Sequence, residues 1–195
     1  MFKGKTIQDG GSGSGFTKGG ISSGNEAKQL ENTINTQWLH TQVHYSGVGG
    51  GAGAHQRGPF AKWWSSSSNS LQSFQCTWWA KGRASQYLEA NGTKYKEYPR
   101  SPDGKYGNGG DWYRRNRLYG WFNYGQQPKP NSLIVWKHGT APGHIAYVEG
   151  VTSDGIYISH AGGGERWFGV QKIPLNGKIW SGYTLQGYIY LDEPK

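Results

Sequence analysis

Tryptophan is distributed unevenly along the chain, and this constrains the fold more than any other feature of the sequence. Nine of the ten tryptophans lie at or after Trp63, whereas residues 1–24 are rich in Gly and Ser and nearly free of apolar side chains. Gly/Ser-rich stretches behave as flexible linkers, while clustered aromatic residues need a core that buries them. We therefore expect a linker over residues 1–24 and a folded domain over residues 59–195.

Residues 25–58 connect these two parts. Apolar residues recur there at three- and four-residue spacing, which predicts a helix over residues 25–45; they are Ala27, Leu30, Ile34 and Trp38. A glycine-rich loop over residues 47–58 ends this helix. We expect the apolar stripe to pack on the main domain.

The period of the hydrophobic pattern changes after Pro128–Pro130. Before that point the pattern predicts a helix over residues 75–90, closed by Asn91–Gly92, and a short helix over residues 111–118. After it, short apolar runs predict strands at 133–136, 144–151, 156–160, 170–173 and 187–191. Asp154–Gly155 lies between two of these runs and is a hairpin signal. Helices followed by an antiparallel sheet indicate an α+β domain.

The chain has a single cysteine, Cys76, at the predicted start of the helix over residues 75–90. One cysteine excludes an intramolecular disulfide and a multi-cysteine metal site. The partial positive charge of a helix N-terminus lowers the pKa of a thiol, and the thiolate is the nucleophilic form. Cys76 is therefore a candidate nucleophile; the alternative is an inert buried thiol, because free cysteine is among the most buried residue types.

A cysteine nucleophile needs a base, and the base needs a group that orients it. His144 opens a strand directly after Pro142–Gly143 and is the best placed of the six histidines. His160, at the end of the next strand, is the expected orienting residue. A tight turn at Asp154–Gly155 would put His160 on the other face of the sheet, and a longer loop or a bulge would restore it. Glu149 and Glu165 are the alternatives.

Four sequence blocks occur in an order that resembles a known family. They are Phe74-Gln75-Cys76-Thr77-Trp78-Trp79-Ala80, Asn108-Gly109-Gly110-Asp111-Trp112, Pro130-Asn131-Ser132-Leu133-Ile134-Val135-Trp136 and Gly143-His144-Ile145-Ala146-Tyr147-Val148-Glu149. Together they resemble the CHAP domain (cysteine, histidine-dependent amidohydrolase/peptidase), which belongs to the wider NlpC/P60 group of papain-like cell-wall hydrolases. The resemblance covers about residues 60–192.

The resemblance implies a papain-like α+β fold, in which the nucleophile lies at a helix N-terminus packed on an antiparallel β-sheet. It implies peptidoglycan as the substrate, Cys76 as the nucleophile and His144 as the general base. His160 stands where CHAP domains commonly have Glu, Asp or Asn and where the wider group often has histidine. The implied activity is hydrolysis of a peptidoglycan amide bond, by an endopeptidase or an N-acetylmuramoyl-L-alanine amidase.

Further residues are expected to contact the substrate. Gln75, with Gln72 as the alternative, is a candidate side-chain donor to the oxyanion, and Trp78 and Trp112 are candidate rings for stacking on sugar faces. We expect neither a metal nor another cofactor. The stretch 65–70 has no carboxylate for calcium, and the histidines lack a recognisable zinc spacing.

The formal net charge of +9 suggests partners of opposite sign. Anionic wall polymers fit a cell-wall enzyme, whereas a nucleic-acid partner is suggested by charge alone and is not expected. The second hypothesis is a non-catalytic wall- or glycan-binding module on the same scaffold. We expect a monomer.

The sequence also carries expectations about where the protein acts. It has no apolar run long enough to span a membrane, and its start lacks the apolar run of a signal peptide. Action on the wall outside the cytoplasm then requires a phage lysin released by lysis, a virion-attached lysin, or a domain of a longer secreted chain.

Overall fold

A computed structural model describes residues 71–72, 75–162 and 167–195, with the backbone alone at residues 167–170. The predictions of a linker over 1–24, of a helix within 25–58 and of a serine-rich loop at 65–70 fall outside these ranges. In the part of the chain that is described, no helix is long and apolar enough to cross a membrane.

Helix α1 spans Cys76–Ala90, as the sequence predicts. Its apolar face is confirmed by three fully buried residues, Ala80, Ala84 and Leu88. The helix ends where the Asn91 side-chain amide donates a hydrogen bond of 2.8 Å to the Tyr87 carbonyl. Gly92 follows with a φ of +58°, a left-handed conformation that glycine adopts at little cost.

A single 3-10 turn, Gly109–Asp111, leads into helix α2, Trp112–Tyr119. Six strands follow: β1 Phe122–Gly125, β2 Ser132–His138, β3 Ala141–Thr152, β4 Gly155–Gly162, β5 Trp167–Ile173 and β6 Thr184–Pro194. The five predicted runs are confirmed as β2 to β6, although all five strands are longer than predicted, β6 by the most. Strand β1 was not predicted.

The strands form one sheet in the order β1-β6-β2-β3-β4-β5, and every neighbouring pair is antiparallel. This arrangement confirms the α+β prediction. The sheet separates two cores, because side chains alternate between its faces. On the α1 side lie Leu133, Val135, Ile145 and Tyr147. On the opposite side lie Ile134, Trp136, Ala146 and Val148.

The hairpin of β3 and β4 contains a β-bulge that determines which face His160 occupies. The register shifts between Val148↔Ile158 and Gly150↔Tyr157, so Glu149 is an extra residue on β3. Continued one residue beyond Tyr147↔Ser159, this register sets His160 opposite Ala146. Ala146 shares a face with His144, so both histidines lie on the side of the sheet away from α1. The turn is tight, and the bulge compensates for it.

Candidate active site

Cys76 is the first residue of α1, and its sulfur lies between the helix start and the beginning of β3. The preceding residue, Gln75, has an extended backbone with φ −85° and ψ 157°. The backbone N–H groups of Ile145, Thr77 and Cys76 itself lie close to the sulfur and favour its thiolate form. Two of these N–H groups belong to the first turn of the helix, which has no carbonyl partners for them. The thiol is therefore held next to the residue that follows His144.

Burial raises the pKa of the Cys76 thiol above its ordinary value. The three backbone N–H groups act in the opposite direction, but removal of the sulfur from water has the larger effect. The expectation of a lowered pKa is therefore wrong for the protein without substrate. A helix end is a local feature, whereas the desolvation comes from residues distant in sequence.

The turn at Gly109 approaches both the nucleophile and the histidine strand. A β-carbon at Gly109 would lie 3.1 Å from the Cys76 sulfur and 3.2 Å from the backbone carbonyl carbon of His144. Distances of this kind are tighter than most real β-carbon contacts. The missing side chain thus lets the turn close over the sulfur and the His144 backbone together.

The two histidines are brought into direct contact. Nε2 of His144 lies 2.8 Å from Nδ1 of His160, and the ring centroids are 5.1 Å apart at an interplanar angle of 74°. Both residues are buried, with exposed fractions of 5% and 1%. The ring of Trp136 stacks beside His144 at a centroid distance of 5.8 Å.

Burial lowers the pKa of both histidines. The pKa of His144 falls to about 4. The pKa of His160 lies well below its ordinary value, through burial first and then through the positive charge that His144 would carry. Near neutral pH, both imidazoles are therefore uncharged, and the Cys76 thiol is protonated.

Glu149, an alternative orienting residue, forms its hydrogen bonds on the face of the sheet that packs against α1. Its carboxylate accepts hydrogen bonds of 3.0 and 2.9 Å from the Arg83 guanidinium. It also accepts one of 2.6 Å from the Ser159 hydroxyl, which in turn accepts one of 2.9 Å from the Trp79 indole N–H. Glu149 thus ties β3 to α1 and lies on the face away from the histidines. Glu165 lies outside the described residues.

The remaining predicted site residues fall in two environments. Gln75 is half-buried next to Cys76. Trp78 and Trp112 are each 1% exposed, and Trp112 stacks between Tyr98 at 4.5 Å and Tyr106 at 5.7 Å. Their buried rings offer a substrate no free face, which corrects the expectation that they stack on sugars. The chain has few aliphatic residues, so aromatic rings fill its core.

Two residues at the site were not predicted. Trp180, between β5 and β6, has its ring centroid 5.0 Å from that of His144; no periodic pattern in this loop indicates it. Gly109 lies in one of the family-like blocks, but its contact with the sulfur depends on how distant segments pack. Among the described residues, no three His, Cys, Asp or Glu side chains are grouped in a way that could hold a metal ion.

The fold and these positions define a class, an α+β domain with a cysteine at a helix start and a buried histidine pair. The family model of the CHAP domain matches residues 64–163, half of the chain, and the chain belongs to this family. Family membership supports a peptidoglycan hydrolase.

Among solved structures, the chain is similar to an N-acetylmuramoyl-L-alanine amidase from Staphylococcus aureus, with 24% sequence identity and a TM-score of 0.44. The match covers 88% of this chain but 46% of that protein, so the chain spans less than half of its length. No curated protein matches the chain.

Proposed function

We propose that this protein hydrolyses an amide bond of peptidoglycan, with Cys76 as nucleophile, His144 as general base and His160 as the residue that orients His144. Two observations support the proposal. The Cys76 sulfur lies beside the backbone N–H of Ile145, the residue directly after His144, and Nε2 of His144 lies 2.8 Å from Nδ1 of His160.

The first half of the reaction forms a thioester. The Nε2–H group of His144 donates a hydrogen bond to Nδ1 of His160. The unprotonated Nδ1 of His144 is then the atom that acts as the base. As the sulfur attacks the amide carbonyl, Nδ1 accepts the thiol proton, and the carbonyl oxygen becomes an oxyanion. The Cys76 backbone N–H, with the Gln75 side chain as a further donor, stabilises this oxyanion. The imidazolium then gives its proton to the leaving amine as the C–N bond breaks.

The second half releases the acyl product. Water attacks the thioester, His144 accepts a proton from the water, and the same proton returns to the departing sulfur. The neutral resting state supports this order of events. A raised thiol pKa and a lowered histidine pKa disfavour separated charges until substrate is present. A thiolate and an imidazolium formed together stabilise each other.

We further propose that the catalytic domain comprises residues 59–195 and that the protein acts outside the cytoplasm, as a phage lysin or as a wall-remodelling domain of a larger assembly. The net charge of +9 favours attraction to anionic wall polymers. Arg114 and Arg117 of α2 are exposed and contribute to such a surface.

The proposal is tested by digestion of purified bacterial cell walls with the full chain and with Cys76→Ala. We expect wild type to clear the walls and the variant to lose activity almost entirely, because no other thiol exists in the chain. His160→Ala should keep a residue of activity, since His144 retains its place. Thermal unfolding of each variant serves as the control for folding. Equal clearing by wild type and Cys76→Ala would contradict the cysteine mechanism.

Mass spectrometry of the digest identifies the bond that is cut. An amidase separates the stem peptide from the glycan, whereas an endopeptidase creates new amine termini within the peptide. Alkylation by iodoacetamide should stop cleavage and add one adduct per chain at Cys76. Wall binding without any new termini would favour the non-catalytic binding module instead.

A further inference from the structure

The loop between β5 and β6 carries an aromatic residue over the histidine pair. The centroid of the Trp180 ring lies 5.0 Å from that of His144 and 5.8 Å from that of His160. The indole is nearly parallel to the His160 ring, with an interplanar angle of 25°. Trp180 therefore forms one wall of the site at which the amide is expected to react.

Neighbouring contacts hold this loop in place at both ends. At one end, the Trp136 indole N–H donates a hydrogen bond of 2.7 Å to the carbonyl of Gly177. At the other end, Tyr183 stacks on His138 at a centroid distance of 4.4 Å and an angle of 7°. Tyr183 also meets Trp180 edge to face at 5.3 Å. The indole is thus positioned before any ligand arrives.

Trp180 differs from the core tryptophans in its exposure. Its exposed fraction is 36%, whereas Trp78, Trp79, Trp112 and Trp136 are exposed by 1% or less. A large aromatic side chain at a water-facing position gives up part of the free energy that burial would supply. Trp180 is thus the water-facing tryptophan beside the histidine pair, and a substrate group that covered it would recover that free energy.

The surroundings of Trp180 favour an uncharged ligand with C–H groups. The face of an aromatic ring carries partial negative charge and attracts C–H groups of partial positive charge, such as those on one face of a pyranose ring. The adjacent rings, Tyr183 and His138, are aromatic as well. The exposed Lys178 nearby disfavours a cationic amine.

We propose that Trp180 is a saccharide-stacking residue that binds an amino-sugar ring of the glycan strand beside His144. This inference rests on the proposed function and makes it more specific. A sugar ring against an indole so close to His144 brings the amide that joins the stem peptide to the glycan into the site, instead of an amide in the cross-bridge. The reaction is then that of an amidase.

The test uses two soluble substrates that share the same amide. One is an N-acetylmuramoyl peptide, and the other is the matching lactoyl peptide, which lacks the sugar ring. Trp180→Ala should lower kcat/KM for the muramoyl peptide by about tenfold, chiefly through KM, because the stacking contact is lost. Cleavage of the lactoyl peptide should change less than about twofold, because no ring is present to stack. Trp180→Phe should restore most of the kcat/KM that Trp180→Ala loses on the muramoyl peptide. Leu175 is an exposed residue of the same loop, and Leu175→Ala should leave kcat/KM unchanged for both peptides.

Binding measured by calorimetry on Cys76→Ala keeps this inference separate from the proposed function. Cys76→Ala should bind the muramoyl peptide more tightly than the lactoyl peptide, and a second substitution, Trp180→Ala, should remove the preference. If wild type cleaves neither compound but the preference is present, the proposed function fails and the stacking stands. An equal loss on both substrates, or no loss on either, would overturn the role of Trp180 in sugar binding.

Discussion

Two buried polar clusters occupy opposite faces of the same pair of strands. The histidine cluster comprises His144 and His160, and the Cys76 sulfur lies next to the backbone that joins His144 to Ile145. The ion-pair cluster comprises Arg83, Glu149, Ser159 and Trp79. Glu149 and Ser159 face α1, while His144 and His160 face the other side of the sheet. Both clusters are therefore built on strands β3 and β4, but only the ion-pair cluster contains charged side chains.

The ion-pair cluster buries two full charges, and hydrogen bonds within the cluster compensate them. Arg83 and Glu149 are 2% exposed and are joined by two hydrogen bonds, with a third from Ser159. The histidine cluster contains groups that can titrate but are uncharged at neutral pH, because burial lowers the pKa of both histidines. The ion pair allows two charges to be buried together, whereas the histidines are kept neutral by burial and become proton acceptors when substrate supplies a reacting group. The bulge at Glu149 links the two clusters, since it sets the face on which His160 lies.

The largest expected effect comes from breaking the ion pair. Glu149→Gln leaves the Arg83 guanidinium buried without its counter-charge, and we expect the free energy of unfolding to fall by about 3–5 kcal/mol. The measurement is urea unfolding at pH 7. The matched control is Glu193→Gln, because Glu193 pairs with Lys129 at a partly exposed site, where such pairs contribute about 1 kcal/mol or less.

A double variant separates stability from positioning. Arg83→Met combined with Glu149→Leu removes both charges and should recover most of the lost stability. If the ion pair also holds the bulge, this stable variant remains slower than wild type in wall digestion, because His160 is no longer fixed against His144. Full activity in the double variant would limit the ion-pair cluster to a stabilising role. A cost below about 1 kcal/mol for Glu149→Gln would contradict the importance of the pair.

A smaller effect is expected from acid on the histidine cluster. In the unfolded chain a histidine has a pKa of about 6.5, whereas in the folded protein the pKa of His144 is about 4. Between these values the unfolded state binds more protons, so stability decreases as the pH falls. We expect a loss on the order of 1–2 kcal/mol from His144 between pH 7 and pH 5, and a further loss in the same direction from His160.

Urea unfolding of wild type and His160→Asn at the two pH values measures this loss. The variant keeps a side-chain acceptor for His144 and removes one buried titratable group. The decrease in stability from pH 7 to pH 5 should therefore be smaller in His160→Asn than in wild type. Equal decreases would show that His160 is not held neutral by burial.

The comparison also explains which features could be predicted from the sequence. Helix α1 was predicted because its apolar spacing and its Asn91–Gly92 stop are local, and β2 to β6 were predicted for a similar reason. The bulge at Glu149 was left open, because it coincides with an ion pair to Arg83, 66 residues away. The direction of the Cys76 pKa shift was wrong because desolvation by distant residues exceeds the local effect of the helix end.

Aromatic residues show the same limit. Residue type identified tryptophan as a candidate for sugar contact, but only the packing distinguishes Trp112, stacked between two tyrosines, from Trp180, exposed beside the histidines. A tryptophan has the same chemistry in both places. Its function depends on which of its faces the fold has already covered.

The smallest effect on stability is expected at Gly109, where the turn closes over the histidine cluster. In Gly109→Ala the new methyl group would meet the Cys76 sulfur at 3.1 Å, and the His144 backbone carbonyl carbon and the Ile145 side chain at 3.2 Å, so neighbours must move by a few tenths of an ångström. That strain, about 1 kcal/mol, is partly offset because alanine restricts the unfolded chain. Gly110→Ala is the matched control, since its methyl group would meet two backbone carbonyl oxygens at shorter distances, that of Trp136 at 2.9 Å and that of Pro142 at 3.0 Å. Gly109→Ala should therefore unfold close to wild type but digest walls several-fold more slowly, whereas Gly110→Ala should lose stability first. If Gly109→Ala keeps full activity, close contact of the turn with the sulfur is not needed for the reaction, and the reactivity of the histidine cluster then depends on its burial alone.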